Sequence, residues 1–207
     1  MSRKLSSAAM LVALCAVSAG CLSTPPAPPM PSYDPAGSAA KAFELYDANK
    51  DGKLDSKELA KCASLAFALV ELDVNNDKAI DLAELTDRLQ TYVDVGVARK
   101  LFMAQVVLDD APLPEAEVRL IPEDFMLGAV TEGVGTSDPL GMVAISAQGV
   151  DPPGVGVGFY RVQVSKKDAA GKETVPAKFN TDTTLGIEVP ATTRLRSSSM
   201  QAINMKR

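Results

Sequence analysis

The chain contains one acidic pattern twice, first as DANKDGKLDSKE at residues 47–58 and then as DVNNDKAIDLAE at residues 73–84. The two copies start 26 residues apart, and in each of them Asp, Asn or Glu stands at positions 1, 3, 5, 9 and 12. A hard dication such as Ca²⁺ takes six to eight oxygen ligands, and a short loop can turn alternate side chains inward to supply them. Each copy is therefore predicted to be a calcium loop.

Position 7 of each loop joins the ligand set through its backbone carbonyl alone. The predicted ligands are Asp47, Asn49, Asp51, Lys53, Asp55 and Glu58 in the first loop and Asp73, Asn75, Asp77, Ala79, Asp81 and Glu84 in the second. With Gly52 at position 6, the first copy meets the full signature and resembles the EF-hand family. The resemblance implies a paired helical unit that binds Ca²⁺.

Position 6 distinguishes the two copies. It takes a sharp turn, and Lys78 occupies it in the second loop, where a side chain costs on the order of 1 kcal/mol relative to glycine. We expect two calcium sites, the first of them tighter. A solvated acidic turn is the alternative for either copy, since Asp, Asn, Gly and Lys are common loop residues.

The segments around the loops predict helices. Ser38 is a candidate cap for the helix that enters the first loop. Residues 65–72 are apolar nearly all round, so we expect this connector to be covered on more than one side, although such a surface could also be a target groove in a calcium sensor. Cys62 fits a small buried thiol.

The start of the chain predicts export. Arg3 and Lys4 precede an apolar run at residues 8–19, which is typical of a signal peptide spanning residues 1–20. Residues 18–21, SAGC, resemble a bacterial lipoprotein cleavage box, which implies a lipid on Cys21 and a place at the outer membrane or cell surface. Cleavage near Ala19 and a secreted or periplasmic protein is the alternative. Residues 21–37 predict a proline-rich tether that buries no core.

Residues 97–207 alternate apolar and polar side chains between turn signals, which predicts about seven strands in an antiparallel β-sandwich. The candidate strands lie at residues 101–108, 116–120, 129–136, 143–145, 160–164, 185–189 and 195–205. VLD at 107–109, GFYRVQV at 158–164 and VPAKFN at 175–180 resemble the carboxypeptidase regulatory-like, or transthyretin-like, family. That resemblance implies a structural or adhesive module. The predicted fold class is α+β and multidomain, with the helical pair at residues 38–96.

Composition excludes several function classes. The chain has no histidine, which removes the commonest general base, and no basic block that could hold nucleic acid. Its net charge is −5, and residues 41–94 hold 12 acidic against 7 basic side chains, so the acidic excess lies around the loops. We expect a non-enzymatic, exported, calcium-binding protein.

Two other hypotheses compete with this interpretation. The first is a regulatory sensor that presents apolar surface around Phe67 and Leu69 to a protein partner. The second is a polysaccharide- or surface-adhesion module that uses Tyr160, Phe159 or loop residues near Phe125. The absence of tryptophan weakens the second hypothesis.

Overall fold

The computed structural model describes residues 29–192 and 200–207. The predicted signal peptide, Cys21, the first part of the tether and residues 195–199 of the last candidate strand lie outside the described residues. In the part that is described, no helix is long and apolar enough to cross a membrane.

Four helices and a two-stranded ribbon form the N-terminal part. The helices are α1 (Pro35–Tyr46), α2 (Ser56–Leu59), α3 (Ala63–Leu72) and α4 (Leu82–Val95). Strands β1 (Lys53–Leu54) and β2 (Ile80–Asp81) pair antiparallel and join the two acidic loops. The connector between the loops therefore holds two short helices, and both loops keep a helix on each side.

Acidic side chains start three of these helices. Asp55 and Asp81 form capping boxes with Glu58 and Glu84 at the starts of α2 and α4. The predicted cap at Ser38 is wrong, because Pro35 opens α1 and the Asp34 carboxylate accepts a 2.9 Å bond from the Gly37 amide. Helix α1 thus begins three residues before residue 38.

Eight further strands follow: β3 (Phe102–Leu108), β4 (Ala111–Pro112), β5 (Glu117–Pro122), β6 (Gly133–Thr136), β7 (Met142–Ala147), β8 (Gly158–Ser165), β9 (Gly186–Val189) and β10 (Met200–Met205). They form one curled sheet in the order β10-β3-β7-β6-β5-β8-β9, with β4 paired to β3. All of these pairs are antiparallel except β10 with β3, which is parallel. The α+β prediction with a mostly antiparallel β half is confirmed.

Alternating burial along β3 shows why these residues form a strand. Phe102, Ala104, Val106 and Leu108 are buried, and the residues between them are more exposed, so one face of β3 lies in the core. Strand β8 instead buries Gly158, Phe159 and Tyr160 in succession, which fits a strand covered on both faces at that end.

The helices pack on the sheet through one continuous core. Gly186 of β9 lies so close to α3 that an added Cβ would stand 2.1 Å from the Ser64 amide nitrogen. Tyr33 of the tether reaches this core as well, since its hydroxyl donates a 2.8 Å bond to the Val157 carbonyl and its ring lies 5.7 Å from Tyr92. The tether therefore contributes to the core after all. The division at residues 96 and 97 stays a prediction.

Two expectations about exposure are wrong. Helix α3 is covered on one face only, because Phe67 and Val70 are 52% and 87% exposed while Leu65 and Leu72 are buried against the sheet side of the molecule. The two rings proposed for polysaccharide contact, Phe159 and Tyr160, are fully buried and cannot touch a ligand at the surface, whereas Leu127, in the loop near Phe125, is exposed. The buried thiol of Cys62 is confirmed.

Candidate metal centre

The β1–β2 ribbon sets the two acidic loops side by side. It pairs Leu54 with Ile80, which both stand at position 8 of their loops, and Lys53 with Asp81. Leu54 and Ile80 are fully buried, and Leu59 and Leu85 just after the loops are buried too. The repeated apolar flanks therefore hold both loops on the core.

The side chains at positions 1, 3 and 5 of the first loop accept hydrogen bonds from the backbone of the same loop. The Asp47 Oδ2 atom accepts a 3.0 Å bond from the Gly52 amide. The Asn49 Oδ1 atom accepts a 2.8 Å bond from the Asp51 amide, and the Asp51 Oδ1 atom accepts a 2.9 Å bond from the Lys53 amide. The oxygen-bearing side chains at alternate positions are thus turned into the loop.

Glu58, at position 12, closes the first loop on its own beginning. Its Oε1 atom accepts bonds from the Ala48 and Asn49 amides at 2.8 and 3.2 Å, and its Oε2 atom accepts a 3.1 Å bond from the Asp55 amide. The side chain is 5% exposed. A buried carboxylate at the end of the loop thus lies beside its first three residues.

The second loop repeats this arrangement. The Glu84 Oε1 atom accepts bonds from the Val74 and Asn75 amides at 2.9 and 3.3 Å, and the Glu84 Oε2 atom accepts a 2.9 Å bond from the Asp81 amide. Asp73 Oδ2 accepts a 2.9 Å bond from the Lys78 amide. The carboxylate of Glu84 is less buried than that of Glu58.

Backbone conformation at position 6 matches in the two loops. Gly52 has a φ of 81° and Lys78 a φ of 68°, so the lysine adopts the left-handed conformation that glycine takes without penalty. The conformation expected for Lys78 is confirmed. At position 6, the second loop therefore carries backbone strain that the first does not.

Positions 7 and 9 have separate roles. Lys53 opens β1, and Ala79 precedes β2 with its amide donating a 3.0 Å bond to Asp77 Oδ1. Asp55 accepts bonds from the Lys57 and Glu58 amides, and Asp81 accepts one from the Glu84 amide, so both side chains cap the exit helices.

The donor set of the first loop suits calcium. The Asp47 Oδ1 atom is buried and has no hydrogen-bond partner in the described structure, an arrangement that is costly unless a cation faces the oxygen. The carboxylates are not gathered to metal-ligand spacing: over residues 29–192 and 200–207, no group of three or more His, Cys, Asp or Glu side chains is arranged to hold an ion. The loop amides hold the Glu58 carboxylate instead.

One ion pair crosses between the loops and was not predicted. The Lys53 ammonium contacts the Asp77 carboxylate, a predicted ligand of the second loop. This hydrogen bond raises the pKa of Lys53 above its ordinary value and lowers the pKa of Asp77 below its own. The pairing depends on the β1–β2 register, so sequence spacing alone could not have found it.

A buried ion pair anchors the exit helix of the second loop. Arg88 of α4 donates to Glu188 of β9 through Nε and Nη2 at 2.6 and 2.9 Å, and the Tyr92 hydroxyl donates to the same carboxylate at 2.6 Å. Glu188 is 5% exposed. An acidic residue between Ile187 and Val189 in an apolar strand was the signal that could have revealed it.

A further buried carboxylate, Glu123, lies against the start of α3. The Ser64 hydroxyl donates a 2.7 Å bond to Glu123 Oε1, and the Cys62 thiol lies 3.7 Å from the same atom. Burial raises the pKa of Glu123, and burial together with this carboxylate raises the pKa of the Cys62 thiol to about 11. Cys62 is therefore protonated and unreactive at neutral pH.

Comparison with protein families supports the prediction that the first loop is an EF-hand loop. A family model described as EF hand matches residues 39–63, which cover the end of α1, the whole first loop and α2. Comparison with curated proteins finds no match, and comparison with solved structures finds none either.

Proposed function

We propose that this chain is a calcium-binding protein in which calcium stabilises a helical unit packed on a β-sheet. The observation that carries the proposal is the first loop, where the EF-hand match coincides with a closed acidic turn and a buried, unpartnered Asp47 oxygen. Bound calcium supplies two positive charges that offset the repulsion between the carboxylates.

The residues that would hold calcium are those of the two loops. Side-chain oxygens come from Asp47, Asn49, Asp51, Asp55 and Glu58 and from Asp73, Asn75, Asp77, Asp81 and Glu84, with the backbone carbonyls of Lys53 and Ala79 at position 7. The loop amides orient the side chains at positions 1, 3 and 5 before any ion binds.

The packing of the helices next to the loops favours a structural role for calcium. Helix α3, which leads into the second loop, packs on β8 and β9, and α4, which leaves that loop, is joined to β9 by the Arg88–Glu188 pair. Millimolar calcium outside a cell would fill sites with dissociation constants of about 10⁻⁴ to 10⁻³ M and stabilise the folded state. No catalytic role is proposed for any residue.

Thermal melting of the full chain tests this role. At a calcium concentration about 100 times the dissociation constant, the expected gain is about 2.7 kcal/mol, or roughly 5 to 10 °C in midpoint, relative to a chelator. Magnesium at the same concentration serves as the control for ionic strength. Equal midpoints in calcium and chelator would leave calcium without a structural role.

We further propose that the protein is exported and anchored by a lipid on Cys21, at the outer membrane or cell surface, with secretion as the alternative. The support is the charged and apolar pattern of residues 1–20 and the SAGC motif. Radioactive palmitate fed to a bacterial host should label the chain, and Cys21→Ser should remove the label. An unlabelled wild-type chain contradicts the anchor.

One observation favours a second candidate, a calcium-dependent sensor for an extracytoplasmic protein partner. Phe67 and Val70 of α3 are exposed beside the loops, and such apolar surface is a common contact for partners. If calcium regulates this surface, binding of an apolar dye should change with calcium while the fold stays intact. Dye binding that ignores calcium would leave only the structural role. An adhesive role stays a proposal that rests on the loop residues near Phe125.

A further inference from the structure

The side chain of Lys53 connects the two loops. Lys53 stands at position 7 of the first loop, where only its backbone carbonyl is a predicted ligand, and its ammonium contacts the carboxylate of Asp77 at position 5 of the second loop. The β1–β2 ribbon makes this reach feasible, because it sets Lys53 opposite Asp81, four residues after Asp77.

The connection has no counterpart in the opposite direction. The residue at position 7 of the second loop is Ala79, whose methyl group carries no charge. Asp51, the equivalent of Asp77, receives its described hydrogen bonds from neutral donors, namely the Asn49 side-chain amide at 2.9 Å and the Lys53 backbone amide at 2.9 Å. A lysine cation thus contacts the position 5 ligand of the second loop alone.

We propose, on the basis of the proposed calcium function, that Lys53 is an internal cation that competes with calcium at the second loop and sets its affinity below that of the first. Calcium held by Asp77 would either displace the ammonium or lie close to its positive charge. In water, that repulsion corresponds to roughly a five- to tenfold loss of affinity once salt screening is included.

Because the Lys53–Asp77 pair is partly exposed, the proposal predicts a dependence on salt that a packing role of Lys53 does not. The Lys53 and Asp77 side chains are 48% and 32% exposed, so salt screens their interaction. The effect of removing the charge should therefore shrink as ionic strength rises. Loss of hydrophobic packing by the lysine stem would not depend on salt in this way.

The test is a calcium titration of the full chain followed by backbone amide NMR, with Gly52 as the reporter of the first loop and Lys78 as the reporter of the second. The variant is Lys53→Met, which keeps the aliphatic stem and removes the charge. The matched control is Lys50→Met, which removes one positive charge from an exposed residue of the same loop.

Lys53→Met is expected to lower the dissociation constant of the second loop five- to tenfold at about 0.05 M salt. At about 0.5 M salt, the factor by which the dissociation constant falls should be about half as large. Lys50→Met should leave the second loop within about twofold of wild type. Equal effects of the two variants on the second loop overturn the proposal while the calcium function stands. A folded chain whose amides ignore calcium overturns both.

Discussion

The two acidic loops share the spacing of their predicted calcium ligands and the left-handed backbone at position 6, yet they differ in the residue at position 6 and in the surroundings of the predicted ligands. Both close through a glutamate at position 12, and both turn through a left-handed residue at position 6. The first loop has Gly52 at position 6 and a Glu58 that is 5% exposed. The second loop has Lys78 at position 6, a more exposed Glu84, and the ammonium of Lys53 from the first loop in contact with Asp77. We therefore expect the shared spacing to set the loop shape and the differing surroundings to set any difference in calcium affinity.

The loops also differ in the contacts of the helices beside them, because an ion pair joins α4, after the second loop, to β9. The largest predicted loss of stability follows from removing this pair. Arg88→Met leaves Glu188 buried without its cation, so the free energy of unfolding should fall by about 3 to 5 kcal/mol. Urea denaturation in chelator measures it. Lys41→Met, which breaks the exposed pair with Glu44, should cost under about 1 kcal/mol. If both variants lost a similar amount of unfolding free energy, the Arg88–Glu188 pair would not anchor α4.

The next effect separates the two calcium sites. Glu58→Gln should weaken the tighter binding event on the order of 100-fold, because the first loop loses a charged ligand that supplies two oxygens. Glu84→Gln should weaken only the weaker event. Calorimetric titration of both variants distinguishes the events. If Glu84→Gln removed the tighter event, the assigned order of the loops would be reversed.

A smaller effect concerns the turn at position 6. Lys78→Gly relieves the left-handed strain and removes a positive charge, so the affinity of the second loop should rise about fivefold, equivalent to about 1 kcal/mol. The reciprocal change, Gly52→Lys, should weaken the first loop by a similar factor. Calcium titrations check both. If neither substitution changes the calcium affinity of the loop that contains it, position 6 does not account for the difference between the loops.

The smallest effect contrasts the buried carboxylates of Glu188 and Glu123. Glu188 has a close cation, whereas the nearest ion-pair contact of Glu123 is Arg161 Nε at 3.7 Å. Because burial raises the pKa of Glu123 above its ordinary 4.5, its stabilising contribution is full below pH 4.5 and is lost as pH rises through the raised value.

The difference in unfolding free energy between wild type and Glu123→Gln should therefore fall between pH 4 and pH 8. Denaturant titrations at several pH values measure this difference, and groups common to both proteins cancel. A difference that rises with pH would mean that the folded state prefers the charged carboxylate.

Local chemistry made the loops predictable. Positions of Asp, Asn, Gly and Glu within twelve residues determine the loop hydrogen bonds, and Asp55 and Asp81 start helices by contacts three residues away. Ser38 failed as a cap because the stronger local signal, Asp34 before Pro35, lay inside a segment whose prolines predicted a tether. The candidate strands overlap every strand of the described sheet except β4, which was not predicted.

Long-range pairings were beyond the sequence patterns. The Arg88–Glu188 pair joins residues 100 apart, and the parallel pairing of β10 with β3 depends on how the sheet curls. Exposure of Phe67 depends on which face of α3 the sheet covers. None of these follows from periodicity, since each needs the tertiary arrangement first.

Calorimetric titration of the full chain with calcium tests the central claim most directly. The account predicts two binding events, the tighter one weakened on the order of 100-fold in Glu58→Gln and both weakened in the Glu58→Gln, Glu84→Gln double variant. A folded wild-type chain that releases or absorbs no binding heat up to about 1 mM calcium, at two temperatures, would contradict the account.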